Sequence, residues 1–129
     1  MQRFSWNDTL RARLTANLAQ FQRIESTALS LRTAAVALTV LPDAEGEACF
    51  VLTRRVSNLQ HHAGQFALPG GRLDRDEDAA TAARRELWEE VGIALDRSQM
   101  LGALDDFVTR SGFVITPVVF WGQAGAELK

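Results

Sequence analysis

One cysteine, Cys49, is all the thiol chemistry that this 129-residue chain carries. A lone thiol can build neither an intramolecular disulfide nor a cysteine-based zinc cluster. It stands in the apolar run Ala48-Cys49-Phe50-Val51-Leu52, which reads as a buried strand thiol rather than a nucleophile. Long apolar runs are missing as well: nothing approaches the roughly 18 residues of a membrane span. The opening Met1-Gln2-Arg3-Phe4-Ser5-Trp6 lacks the apolar core of a signal peptide, so a cytoplasmic location is expected. Positive charge is not in surplus. A formal net charge of −2 gives no general attraction to nucleic acid or to an anionic membrane, and neither is expected as a partner. Any phosphorylated substrate would need local neutralisation, by a metal or a few placed arginines. Repeats, low-complexity tracts and linkers are also absent, and the length suits one small domain spanning 1–129.

The residues present divide into recognisable segments. Asn7 or Asp8 can cap a helix over about 7–24 that carries Leu10, Leu14, Leu18, Phe21 and Ile24 at helical spacing. The stripe reads as a packing face; exchange of this helix between subunits of a homodimer is the alternative. Thr33 to Leu41 is β-branched and apolar, and a turn-rich link, Pro42 to Glu47, joins it to the run ending at Leu52. The pair reads as a hairpin or two neighbouring strands. Arg54 to Phe66 is polar and irregular, and Pro69-Gly70-Gly71 breaks any regular element. A helix is expected from Asp76–Asp78 to Val91, with acids at its positive end and Gly92 placed to stop it. Met100 to Thr109 and Phe113 to Trp121 read as two more strands about an Arg110-Ser111-Gly112 turn. The order of elements favours an α/β fold, a mixed sheet with helices packed on it.

Chemistry concentrates between Gly71 and Ile93. At about 100° per residue, Glu86, Glu89 and Glu90 share an arc of roughly 100° on the helix. Carboxylates that close disfavour one another's ionisation unless a cation intervenes, and hard divalent ions such as Mg2+ or Mn2+ prefer such oxygens. One turn earlier the same face carries Ala79, Ala82 and Ala83, small enough to let the helix lie close to a loop or to the sheet. The bland alternative is a solvated helix face with i,i+4 pairs such as Arg85 to Glu89.

The spacing decides between the two. Gly71, Glu77, Arg85-Glu86, Leu87, Glu89-Glu90 and Gly92-Ile93 fill every specified position of G-x5-E-x7-R-E-U-x-E-E-x-G-U, where U is aliphatic. The stretch 71–93 therefore resembles the Nudix box, a match expected by chance on the order of once in a billion starting points. The resemblance implies an α/β/α sandwich with a mixed sheet. It also implies metal ligation by Glu86, Glu89 and Glu90, with Glu86 proposed as general base in some members. Arg85 would hold a glutamate by a salt bridge, with Glu77 or Glu90 as its partner. The carbonyl of Gly71, or of Gly70, would complete the metal shell, and Gly92 would end the helix. The implied reaction is water attack on the phosphorus of a small-molecule nucleotide, assisted by Mg2+ or Mn2+. A module that keeps the fold without catalysis is the rival of another class.

Upstream, Leu52, Thr53, Arg55, Gly64, Pro69, Gly70 and Gly71 align with the additional signature of the coenzyme A diphosphatase branch, L-L-T-x-R-S-x3-R-x3-G-x3-F-P-G-G. Val51, Val56, Gln60 and Leu68 depart from it. Gln60 matters most, because it replaces a cation that could meet a phosphate. Arg54 and His61 are candidates to replace that cation, and Arg55 is either a phosphate contact or a solubilising strand-end residue. ADP-ribose, dinucleotides and nucleoside triphosphates are the alternative substrates. Asp105 and Asp106 read either as an extra ligand pair or as a polar strand edge. Trp88 is expected to pack, and Trp6 and Trp121 to lie in a core or interface. Members of the family usually continue through another strand and a closing helix after the position of Trp121, so the chain is expected to lack both.

Overall fold

The computed structural model describes residues 2–27, 31–54 and 65–129. Its centre is the strand β1, Arg32–Pro42, an apolar segment that is covered on both faces along most of its length. Strand β2, Ala48–Phe50, returns antiparallel to it, with Leu41 opposite Cys49, across the turn at Asp43–Glu47. Gly46 takes a positive φ of 79° there, a conformation glycine adopts without steric cost. Two short strands, β3 (Thr53–Arg54) and β4 (Phe66–Ala67), pair with each other as a separate ribbon. Strand β5, Gly70–Arg72, then pairs antiparallel with the first half of β1, Gly71 opposite Ala35.

Helix α1, Asp8–Gln20, precedes the sheet in sequence, and helix α2, Ala79–Val91, follows β5. After one 3₁₀ turn come β6 (Met100–Ala103), β7 (Phe107–Val108) and β8 (Phe113–Trp121). β8 lies parallel to β1 in unbroken register from Arg32–Phe113 to Val40–Trp121. The sheet therefore runs β2-β1-β8-β6, with β5 on β1 and β7 on β8, and is mixed.

Side chains alternate across the sheet. Ala35, Ala37, Leu41, Val118 and Phe120 join Ala80, Ala82, Ala83, Leu87 and Val91 of α2 in one buried cluster. Alanines on both surfaces let the helix approach the strands closely, as their spacing suggested. Helix α1 packs on β6 from the opposite side, with Leu18 against Gly102. In the register of β6 with β8, Gly102 stands opposite Val119, whose side chain faces away from α2. Two helices thus flank a mixed sheet.

The structure corrects several expectations. α1 ends at Gln20, because Phe21 turns extended, at φ −69° and ψ 122°. Ile24 is 69% exposed. Residues 23–26 instead run beside the β6–β7 connection: Asp106 N–H donates to the Ile24 carbonyl at 3.0 Å, and Asp105 Oδ1 accepts from Ile24 N–H at 2.7 Å. Cys49 is exposed, since β2 is a three-residue edge strand with little packed on it. Partial desolvation and the nearby Asp43 carboxylate raise its pKa, so it carries little thiolate. The segment expected as one strand from Met100 to Thr109 is two, interrupted at Leu104–Asp106 and bulged between Met100 and Gly102. Trp88 does not pack in the core; it is 56% exposed. Trp6 and Trp121 do pack together, their rings stacked 5.0 Å apart and 7° from parallel.

Candidate functional site

The acidic residues of α2 are positioned by both ends of the helix. Asp78 caps its start by accepting from Thr81 N–H at 2.8 Å. Hydrogen bonds from Thr81, with help from Arg97, lower its carboxyl pKa to about 2. At the other end Gly92 adopts the left-handed conformation, φ 76°, and returns its N–H to the Trp88 carbonyl. Lys129 adds a further cap: its N–H reaches the Val91 carbonyl at 2.8 Å and its Nζ the Glu89 carbonyl at 2.9 Å.

Arg85 is the hub of the site. Its Nε and Nη2 make a fork with both oxygens of Glu77, each at 2.9 Å. Nη2 also donates to the Arg72 carbonyl at 3.1 Å, fastening the helix to β5. Nη1 reaches Glu86 Oε1 at 3.0 Å and Glu89 Oε2 at 3.3 Å. The Glu77 side chain is 9% exposed and also accepts from Asp74 N–H. The Arg85 guanidinium holds the Glu77 carboxyl below the ordinary range, and Glu77 in turn raises the pKa of Arg85.

Glu86 and Glu90 both turn toward the glycine pair. Gly70 N–H donates to Glu90 Oε2 at 3.0 Å. A methyl group on Gly71 would fall 2.5 Å from Glu86 Oε1, so the missing side chain is the space the carboxylate occupies. At Gly70 the obstacle is backbone: an added Cβ would lie 2.7 Å from Val36 Cα. The register sharpens the choice between the two carbonyls. Gly71 is in phase with the bonds Leu73 N–H to Thr33 and Ala37 N–H to Pro69, which turns its own polar groups toward β1. Gly70 has its N–H turned toward α2 and is the better placed to offer a backbone oxygen.

The three glutamates are not equivalent, although helical spacing groups them. Glu89 is 54% exposed and joins Arg85 in the i,i+4 pair that a plain solvated face would also show. Among the described residues no three carboxylate, histidine or cysteine side chains converge as a finished cage. The donor chemistry still fits a hard divalent ion. All the donors are oxygens, two carboxylates meet at a glycine that leaves them room, and Mg2+ is commonly held through one or two carboxylates plus substrate and water.

The other candidates separate clearly. Asp106 is an anchor: Arg23 Nη2 at 2.5 Å, Thr116 Oγ1 at 2.6 Å and Ser26 N–H at 3.0 Å all meet its carboxylate. Burial raises its pKa, but those bonds pull it below the usual value overall. Together with Asp105 it ties residues 23–26 to the sheet, the polar-edge reading. Arg54 lies exposed on β3 with its guanidinium 5.9 Å from the Phe66 ring centroid. Arg55, Gln60, His61, His62 and Gly64 lie outside the described residues.

Sequence reasoning did not single out a cleft of about 520 Å³ beside the glycines. Ala34, Val36, Ile115, Pro117, Leu68 and Phe107 make its walls largely apolar. Phe113 closes one end, with Arg72 and Arg32 each 5.9 Å from its ring centroid. The available signals were Arg72 directly after the glycine pair and Arg32 at the start of the first apolar strand.

Residues 31–126 match the NUDIX domain family. The chain is 38% identical over 117 residues to the Nudix hydrolase NudL of Salmonella heidelberg, covering 87% of this chain and 60% of that protein. To NudL of Pectobacterium atrosepticum it is 47% identical over 70 residues, covering 54% of this chain and 36% of that one. The chain thus spans 60% or less of these curated relatives. A MutT protein from Methanosarcina mazei Go1 superposes with a TM-score of 0.55 at 28% identity, over 85% of this chain and 72% of that one.

Proposed function

Since the chain belongs to the NUDIX domain family, we propose that it serves as a divalent-metal-dependent pyrophosphohydrolase. Its substrate would be a nucleoside diphosphate linked to another moiety, coenzyme A or a derivative first among them. The observation that carries this reading is the meeting of Glu86 and Glu90 at Gly70-Gly71 on a helix fastened to β5 by Arg85 and Glu77. The match from Leu52 to Gly71 supports the coenzyme A branch.

Glu86, Glu89 and Glu90 would hold Mg2+ or Mn2+, with Gly70 rather than Gly71 offering a backbone oxygen. When bound, the ion supplies neutralisation of the diphosphate and a lowered pKa for water. The chain's own residues do the rest. Arg85 fixes the rotamers of Glu86 and Glu89 and keeps the helix in place against β5. A glutamate carboxylate accepts the proton of the attacking water as the new P–O bond forms and the bridging P–O bond breaks. Arg54 and Arg55 are the proposed contacts to the substrate's phosphates. From coenzyme A the products are 4′-phosphopantetheine and adenosine 3′,5′-bisphosphate.

The test is a substrate panel of coenzyme A, its thioesters, ADP-ribose, dinucleotides and nucleoside triphosphates, with Mg2+ or Mn2+ titrated and products separated. Glu90→Gln should retain the fold and lose at least about 100-fold in rate, the scale set by removal of a key electrostatic group. Cleavage of ADP-ribose or dinucleotides in preference to coenzyme A would move the substrate within the family. No metal-dependent cleavage of any diphosphate would remove the hydrolase reading.

A further inference from the structure

The cleft beside Gly70-Gly71 lies on the sheet face away from α2, yet it opens onto the same glycine rim as the carboxylates. Gly70 lines the cleft and donates to Glu90, while the empty side of Gly71 receives Glu86. No side chain at these two positions separates one compartment from the other. A ligand seated in the cleft can therefore reach the carboxylates over bare backbone.

The charge at the far end of the cleft is unusual. The Arg32 and Arg72 guanidiniums stand at equal distance, 5.9 Å, from the Phe113 ring centroid. Among the described residues neither has a carboxylate partner, although the chain as a whole is acidic. Two cations gathered on one ring repel each other, and an anion within reach of both would relieve that repulsion. The register explains the pairing: Arg32 stands opposite Phe113, and Arg72 opposite Ala34, so all three side chains leave the same face.

We infer that Arg32, Arg72 and Phe113 form a subsite for a phosphomonoester on the nucleoside part of the substrate, with the base in the adjoining apolar cleft. This deepens the proposed function and rests on it. The scissile diphosphate would lie at the glycine rim, and the two arginines would recognise a further phosphate away from the reacting atoms. Guanidiniums suit that task because their donor fork matches phosphate oxygens, while the aromatic face stabilises the pair when the site is empty. The apolar walls and the ring of Phe107 favour a planar base over a flexible polar arm. The protein would thereby prefer substrates whose nucleoside carries an additional phosphate.

Equilibrium binding of adenosine 3′,5′-bisphosphate, AMP and 4′-phosphopantetheine tests this without turnover. The bisphosphate should bind at least about fivefold tighter than AMP, as expected for one added charge-assisted contact. That ratio should fall to about one in Arg32→Gln and Arg72→Gln and persist largely in Arg72→Lys, with thermal unfolding of every variant monitored. A ratio unchanged in both glutamine variants overturns the subsite, as does binding of 4′-phosphopantetheine that weakens with the same substitutions while the bisphosphate does not. Hydrolysis of coenzyme A against dephospho-coenzyme A is the separate arm. Arginine-dependent bisphosphate binding with no hydrolysis of any diphosphate leaves the subsite standing and sinks the hydrolase reading. Hydrolysis in which the glutamine variants do not change the preference between these two substrates does the reverse.

Discussion

Adding one methyl group at each of two adjacent glycines should have opposite consequences. At Gly71 the new Cβ meets Glu86 Oε1 at 2.5 Å and its Cδ at 2.7 Å. Ordinary carbon–oxygen contact is about 3.3 Å, so the carboxylate must retreat by roughly 0.8 Å. Glu86 is only partly exposed, but the clash is with the far end of a flexible side chain, which can give way by changing rotamer. The cost to the fold is small and partly offset by the lower chain entropy of alanine in the unfolded state, about 0.4–1 kcal/mol. The Gly71→Ala variant should therefore melt within a few degrees of the wild type, about 1 kcal/mol either way. A ligand misplaced by this much, however, costs on the order of 100-fold in rate. At Gly70 the added Cβ meets Val36 Cα at 2.7 Å, and backbone cannot swing aside. Gly70→Ala should lose about 1–3 kcal/mol of stability, the range for overpacking. Thermal melts paired with magnesium-dependent hydrolysis of the substrate identified from the panel read both effects. A Gly71→Ala variant that keeps the wild-type rate would refute the placement of Glu86 in the site. One that unfolds would refute the claim that only a side chain must yield.

Glu77→Gln removes the negative charge of the fork that binds Arg85 and leaves one accepting oxygen of the two, and should cost about 1–3 kcal/mol in denaturant unfolding, the range for hydrogen bonds between charged groups. Acid should weaken the same elements. The folded pKa of Glu77 lies below its ordinary 4.5, and that of Asp78 falls from 3.8 to about 2. Both therefore contribute stability that is full above those unfolded values and is lost as the pH drops through the folded ones. Denaturation midpoints should hold level down to about pH 5, then fall, and the fall should be shallower in Glu77→Gln. The Thr39 hydroxyl is buried with no hydrogen-bond partner among the described residues, so Thr39→Val should be neutral or gain about 1 kcal/mol; a loss of more than that would show an unseen partner. Asp106→Ala should destabilise by about 1–3 kcal/mol, because Arg23 loses the more buried of its two carboxylate partners and keeps only the exposed Glu25, yet leave the metal concentration for half-maximal rate unchanged in the folded fraction. A shift in that concentration would restore Asp106 as a ligand.

Local signals that depend on neighbours in sequence were legible. The start of α2 near Asp76–Asp78, the stop at Gly92, the neighbouring of β1 and β2 and the small face of α2 all follow from short-range spacing. The resemblance of the box also implied a salt bridge from Arg85 to Glu77 or Glu90, and the structure places it on Glu77. What could not be read was long-range register. Nothing near Phe113 announces that it lies beside Arg32 and Arg72, because parallel pairing of β1 with β8 joins residues some eighty positions apart. The apolar stripe of α1 overstated the helix for a related reason. Ile24 keeps helical spacing, but Asp105 and Asp106 offer the backbone there a better set of partners. Cys49 misled because an apolar run does not reveal that its strand is at an edge.

The stacked indoles of Trp6 and Trp121 give this protein an internal reporter. Trp6 also donates its ring N–H to the Val40 carbonyl, and Ser5 bridges to Glu47, so the leading arm is latched across the ends of the two central strands. Release of that arm would part the rings and wet Trp121 while the acidic helix stayed folded. Trp88, out in solvent on that helix, would not change its colour of emission. Fluorescence quenching could then tell fraying at the amino-terminal latch from melting around the glutamates, within one unlabelled sample.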